Sequence, residues 1–224
     1  MRSLRYPFPS ERGVAIEGPF VLFKTTQGGE GETLIGSHDV EIWQKGYLSG
    51  VDLCPSPNWD ERPADTKVCL LVLHSISLPS GEYGGGNIER FFANKLDFNA
   101  HRSFNEIRDL RVSTHFFIDR LGKLTQFVSC DKRAWHAGRS SWNEKINCND
   151  YSIGIELEGT DYSFFEEIQY VSLRSLCTKI CKRYPIQACV GHSHVALPRG
   201  RKTDPGIGFK WQNLSLAPHI SVPI

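Results

Sequence analysis

In Val68-Cys69-Leu70-Leu71-Val72-Leu73-His74, six consecutive apolar residues end on an imidazole. A run of that length without polar alternation suits a strand covered on both faces, as in a parallel sheet under helices. Working outward, Tyr151 to Glu158 alternates, with Ile153, Ile155 and Leu157 on one face and Gly154, Glu156 and Glu158 on the other. That second face reads as solvated. Asn87 to Leu96 has Ile88, Phe91, Phe92 and Leu96 at helical spacing. Thr114–Asp119 and Lys123–Val128 read as strands joined by Arg120-Leu121-Gly122, a hairpin turn carrying its glycine. Phe165 to Tyr184 reads as a long amphipathic helix with Ile168, Val171, Leu176 and Ile180 inward, stopped by Pro185. A short strand at Ala188 to Val190 then leads to Gly191-His192. Strands alternating with helices place the chain in the α/β class.

With 26 Lys+Arg against 25 Asp+Glu in 224 residues, the net charge of +1 offers no global pull on nucleic acid or an anionic membrane. The 40% hydrophobic and 23% charged content is that of a globular chain. No stretch approaches the roughly 18 apolar residues of a membrane span, and no apolar leader with a cleavage site follows Met1. Seven cysteines, an odd count without dense spacing, read as reduced, mostly buried thiols of a cytoplasmic protein. Residues 1–41, with Gly28-Gly29-Glu30-Gly31 and no sustained periodicity, read as a poorly ordered extension preceding a domain at 42–224.

Chemistry needs polar side chains where strands end. His74 closes the first buried strand, His192 follows a glycine after the last, and Asp204 lies in Arg201-Lys202-Thr203-Asp204-Pro205-Gly206. Two imidazoles and a carboxylate would give zinc three ligands and an open fourth position. Spacing alone makes this a weak signal, because the chain has eight histidines and no local motif ties two of them together. His38, His101 and His219 read as ordinary surface or hydrogen-bonded residues. Glu156 and Glu158 are both candidates for a general base, and the residues alone do not choose between them. Lys202, two residues before Asp204, would lean to the same side in an extended segment, where a cation can stabilise an oxyanion. A nucleophile elbow and a phosphate-binding loop are absent from the sequence; Gly84-Gly85-Gly86 reads as a turn. A thiol hydrolase built on Cys148 has nothing beyond the cysteine itself to specify it.

Several segments taken together resemble one family. They are Leu70-Leu71-Val72-Leu73-His74-Ser75-Ile76-Ser77-Leu78-Pro79, Arg111-Val112-Ser113-Thr114-His115, Asp131-Lys132-Arg133-Ala134-Trp135-His136-Ala137-Gly138, Cys148 through Asp161, and Arg201 through Gly206. They resemble the zinc N-acetylmuramoyl-L-alanine amidases, in particular the cytosolic 1,6-anhydro type of peptidoglycan recycling. The likeness runs from about Lys45 to Trp211, and residues 1–41 have no counterpart. It implies a mixed central β-sheet flanked by helices, the fold shared with peptidoglycan recognition proteins. It implies one zinc ion on His74, His192 and Asp204, Glu156 rather than Glu158 as the residue that activates water, and Lys202 at the oxyanion. It places Arg111, Trp135 and His136 along the muropeptide cleft and gives His115 a supporting place. The implied partner is a muropeptide substrate, with no nucleic acid, membrane or protein partner. A broader peptidoglycan amidase and a non-catalytic muropeptide-binding module are the alternatives. Two departures from the family pattern stand out. His194 replaces an acidic residue in a lengthened loop at 193–200, a rival to His192 for the metal, though the Gly191-His192 pairing favours His192; and Asn147 replaces a basic residue.

Overall fold

The structure, a computed structural model, describes residues 42–223, so the predicted extension at 1–41 lies outside the described residues. Six strands form the central sheet: β1 (Asp52–Leu53), β2 (Leu70–Ile76), β3 (Phe116–Ile118), β4 (Leu124–Gln126), β5 (Ser152–Glu158) and β6 (Ala188–Gly191). Their order is β6-β2-β5-β3-β4-β1. The four strands β6, β2, β5 and β3 run parallel, β4 returns antiparallel through the hairpin, and β1 pairs parallel to it. This is the mixed sheet implied by the resemblance.

Burial on both faces explains the unbroken apolar run. Leu71 and Leu73 pack with Ile153, Ile155 and Leu157 beneath helix α2 (Glu167–Arg183). Leu70 and Val72 point the other way, into a cluster with Ala137, Cys148, Tyr151 and Val190. Each such leucine or valine contributes about 1.5–3 kcal/mol by leaving water. A third cluster joins α1 (Asn87–Phe92) to Phe104, Phe117 and Phe127.

Two readings of the sequence need correction. The α2 pattern was phased wrongly at its start: Ile168 and Val171 are 47% and 46% exposed, while Tyr170 and Leu173 are buried with Leu176 and Ile180. The Gln169 amide donates to the backbone carbonyls of Glu158 and Ile118, so a polar side chain faces inward and turns the helix away from its simplest apolar stripe. The second correction concerns β5. All seven residues from Ser152 to Glu158 are buried, including the face that alternation assigned to solvent. Gly84 covers that face at Glu158 and the His136 ring covers it at Gly154.

Candidate active site

Neighbouring parallel strands bring the first two residues together without help from side chains. Glu156 on β5 is directly in register with His74 on β2. His192 follows the adjacent β6 as the first residue of the short helix α3 (His192–Val195). All three lie at the carboxyl ends of parallel strands, where α/β sheets open their crevices. Asp204 arrives from a loop and completes a tight group. His74 Nδ1 lies 3.1 Å from His192 Nδ1 and 3.0 Å from Asp204 Oδ2, and His192 Nδ1 lies 3.1 Å from the same oxygen. Among the described residues, His74, His192 and Asp204 form a group able to hold a metal ion, and all three are buried.

The electrostatics follow from burial. Desolvation, and then His192, push the His74 pKa down to about 4, which keeps it neutral near pH 7. Burial, with Asp204 adding to it, pushes Glu156 well above the ordinary value, and its Oε2 has no hydrogen-bond partner. Glu158 is different. Its two oxygens accept the backbone N–H groups of Gly84 and Arg120, so it ties two loops to the end of β5. One acid is satisfied by structure and the other is left open beside the metal group.

Glu156 and Lys202 line a cavity of about 270 Å³ together with the metal group and Trp135. Lys202 is itself exposed and shares this cavity with Asp204. An adjoining cavity of about 440 Å³ shares Trp135 and Lys202 and is bordered by Arg111, Arg133 and Arg201. Arg111 is exposed there, its guanidinium donating to the carbonyls of Arg108 and Leu110.

His136 lines both of these cavities with little of its surface exposed. It is buried behind His74, with Nδ1 3.0 Å from His74 Nε2 and Nε2 3.1 Å from Ser152 Oγ. Both ring nitrogens are engaged within the protein, so neither is left for a ligand. His115 is also buried; Gly154 donates to its Nδ1 and its Nε2 faces the Lys132 carbonyl. His194 does not compete with His192, because its Nδ1 accepts the Gly191 N–H and its ring packs edge-on against Trp211. His101 caps a 3₁₀ turn by accepting from the Ser103 N–H, and His219 is exposed. The Cys148 thiol is buried against the Tyr151 hydroxyl, and desolvation raises its pKa, the opposite of an activated nucleophile.

Three supporting residues escaped the sequence reading. Arg62 donates to the carbonyls of Asn149, Asp150, Cys130 and Ser152. The Asn149 side chain accepts the N–H groups of His136 and Ala137. Asp161 accepts from Ser75 and from Thr203 beside Asp204. Nothing local in the sequence marks them, since an Arg, Asn or Asp in a polar loop ordinarily faces water.

Two imidazoles and a carboxylate facing one point at strand ends, beside a second, unpartnered carboxylate, are what a metal-assisted hydrolase requires. Comparison with known proteins narrows that class. The model of the N-acetylmuramoyl-L-alanine amidase family matches residues 64–207, and the chain belongs to this family. It is thereby a hydrolase of a carbon–nitrogen amide bond. It is 47% identical over 170 residues to the 1,6-anhydro-N-acetylmuramyl-L-alanine amidase AmpD of Citrobacter freundii, covering 76% of this chain and 91% of that one. The AmpD of Escherichia coli K12 is 46% identical over 170 residues, with 76% of this chain and 93% of the relative covered. A crystal structure of a selenomethionine AmpD derivative superposes with a TM-score of 0.74 at 46% identity, covering 76% of this chain and 96% of that one.

Proposed function

We propose that this chain is a zinc enzyme of cytosolic peptidoglycan recycling. It hydrolyses the amide between the lactyl group of 1,6-anhydro-N-acetylmuramic acid and the L-alanine of the stem peptide. The observation that carries the reading is the convergence of His74, His192 and Asp204 next to the open carboxylate of Glu156. The names of the relatives at 46–47% identity supply the substrate class.

The donor set fits zinc. Ligands at about 2.0–2.1 Å from a tetrahedral ion sit about 3.3 Å from one another, close to the 3.0–3.1 Å separations here. His192 Nε2 faces the Ala137 carbonyl at 3.1 Å and His74 Nε2 faces His136, so both Nδ1 atoms turn toward Asp204. Lone pairs meeting an anion with no proton between them repel unless a cation lies among them. Zinc held by these three residues would supply a Lewis acid that polarises a carbonyl and brings water deprotonation near neutral pH.

The remaining work falls to the chain. Glu156, buried and raised in pKa, takes the proton of the attacking water and returns it to the departing alanine amine. Lys202 offers its ammonium to the oxyanion that develops on the lactyl carbonyl. Trp135 lines both cavities and Arg111 borders the second, where its guanidinium can meet the carboxylates of the stem peptide. The test is mass spectrometry of products from a 1,6-anhydromuropeptide and its reducing-end counterpart, with and without chelator. Release of peptide from the anhydro form, abolished by chelator and restored by zinc, is the expected result. Equal cleavage of both forms would point to a broader amidase, and no cleavage by zinc-loaded protein to a binding module.

A further inference from the structure

An imidazole that holds a metal through one nitrogen needs the other nitrogen's proton to go somewhere, because that hydrogen bond fixes both tautomer and ring plane. His192 meets this need simply, through the Ala137 carbonyl at 3.1 Å. His74 does not. Its Nε2 faces another imidazole, His136, at 3.0 Å. A contact between two ring nitrogens has no inherent direction, since either can donate.

The direction is set further along the chain of contacts. His136 Nε2 lies 3.1 Å from Ser152 Oγ, and that hydroxyl donates to the Cys148 carbonyl at 2.6 Å. A carbonyl only accepts, so the single hydroxyl proton is committed to it. Ser152 Oγ must then accept from His136, which puts the His136 proton on Nε2 and leaves a lone pair on Nδ1. His74 must therefore donate from Nε2, and its own Nδ1 keeps the lone pair that faces His192 and Asp204. One backbone carbonyl thus dictates, three bonds away, which nitrogen of His74 is free.

We infer that His136 and Ser152 are positioning residues, a neutral buried relay that presents His74 to a cation. This rests on the reading of the trio as a metal site. The surroundings are built for the task. Ser152 is fully buried and His136 is 9% exposed. A Cβ on Gly154 would lie 2.5 Å from the His136 ring, so glycine at that strand position makes room for it. Asn149 accepts the N–H of His136 at 3.1 Å and of Ala137 at 2.8 Å. The dipeptide His136-Ala137 therefore supports both imidazoles, one through a side chain and the other through a carbonyl, with Asn149 fixing both. Arg62 clamps the carbonyls of Asn149 and Ser152 from behind.

Two measurements test the relay. In the metal-free chain at neutral pH, long-range nitrogen–proton NMR of labelled histidines should find His74 and His136 both as the Nε2–H tautomer. Competition with a fluorescent chelator should show Ser152→Ala and His136→Ala weakening zinc about 10–100-fold. His136→Gln, whose amide oxygen can accept from His74, should recover part of the loss. The KM for muropeptide in Ser152→Ala, measured at saturating zinc, should stay within twofold of wild type. Circular dichroism and thermal midpoints verify folding, and Ser152→Ala carries the test if His136→Ala does not fold. A His74 Nδ1–H tautomer would overturn the relay. So would unchanged zinc affinity in folded Ser152→Ala and His136→Gln accompanied by a raised KM in His136→Gln. Failure of the wild-type chain to bind zinc would overturn the metal reading itself, a result distinct from either.

Discussion

The two sides of the cleft are built by different means. On one side, His74 and Glu156 stand in register on adjacent parallel strands, and the hydrogen-bond ladder sets their separation before any side chain acts. On the other, Lys202 and Asp204 ride a loop whose position depends on a few individual contacts. Ser193 donates its N–H to the Asp204 carbonyl at 3.0 Å, Ile207 donates to the Asp161 carbonyl at 2.9 Å, and Thr203 donates to the Asp161 carboxylate. Gly206, at φ +84°, presses so closely on Asp161 that a Cβ would lie 2.1 Å from its carbonyl oxygen. The strand side is rigid because the whole sheet holds it; the loop side holds only as long as each contact does.

Substitutions can break this contrast at graded cost. The largest effect is expected for His74→Ala, which should lose bound zinc by elemental analysis and with it all measurable peptide release. Lys202→Ala should keep zinc and lower kcat by about 10²–10³-fold, since it removes one oxyanion partner. Gly206→Ala should cost about 2–4 kcal/mol in denaturant unfolding, from close packing plus a positive φ, if its loop is as tightly docked as the contacts imply. Acid should destabilise the metal-free protein. Burial, and then Arg62, lower the His115 pKa to about 3, so the folded state binds a proton less readily than the unfolded chain at its ordinary 6.5. That contribution is fully present above pH 6.5 and is lost as pH falls toward 3, with a slope of up to about 1.4 kcal/mol per pH unit. Denaturant titrations across that window should show the decline, and a flat profile would contradict a buried neutral His115. Glu158→Gln marks the small end for chemistry. It should cost about 1–3 kcal/mol of stability by setting an amide NH₂ against a backbone N–H, with turnover changed less than twofold.

The same contrast governs what could be read from the sequence. The strand side was legible in part: the apolar run ending in His74 is a direct imprint of sheet burial, while the alternating stretch revealed the strand but not the burial of its Glu156 face. The α/β class followed from them, although the helix phase at Ile168 and Val171 did not, because Gln169 takes an inward position that no apolar count anticipates. The residues alone left Glu156 and Glu158 level and the resemblance selected Glu156; the structure adds the physical reason, since Glu158 is occupied by backbone N–H groups. The loop side was legible only through resemblance, because Asp204 and Lys202 lie in a polar segment with no periodicity. His136 was placed on the cleft by resemblance, but its contact behind His74 was not readable. Its partner Ser152 is 16 residues away, and the hydrogen bonds that turn the ring inward are long-range. Arg62 and Asn149 were invisible for the same reason.

The account turns on Glu156 as the proton carrier beside the trio, and Glu156→Gln tests it most directly. Zinc content and peptide release from a 1,6-anhydromuropeptide would be measured on the same preparation. One zinc per chain with release lowered by at least about 100-fold is the predicted result. Near-normal release with zinc in place would contradict it.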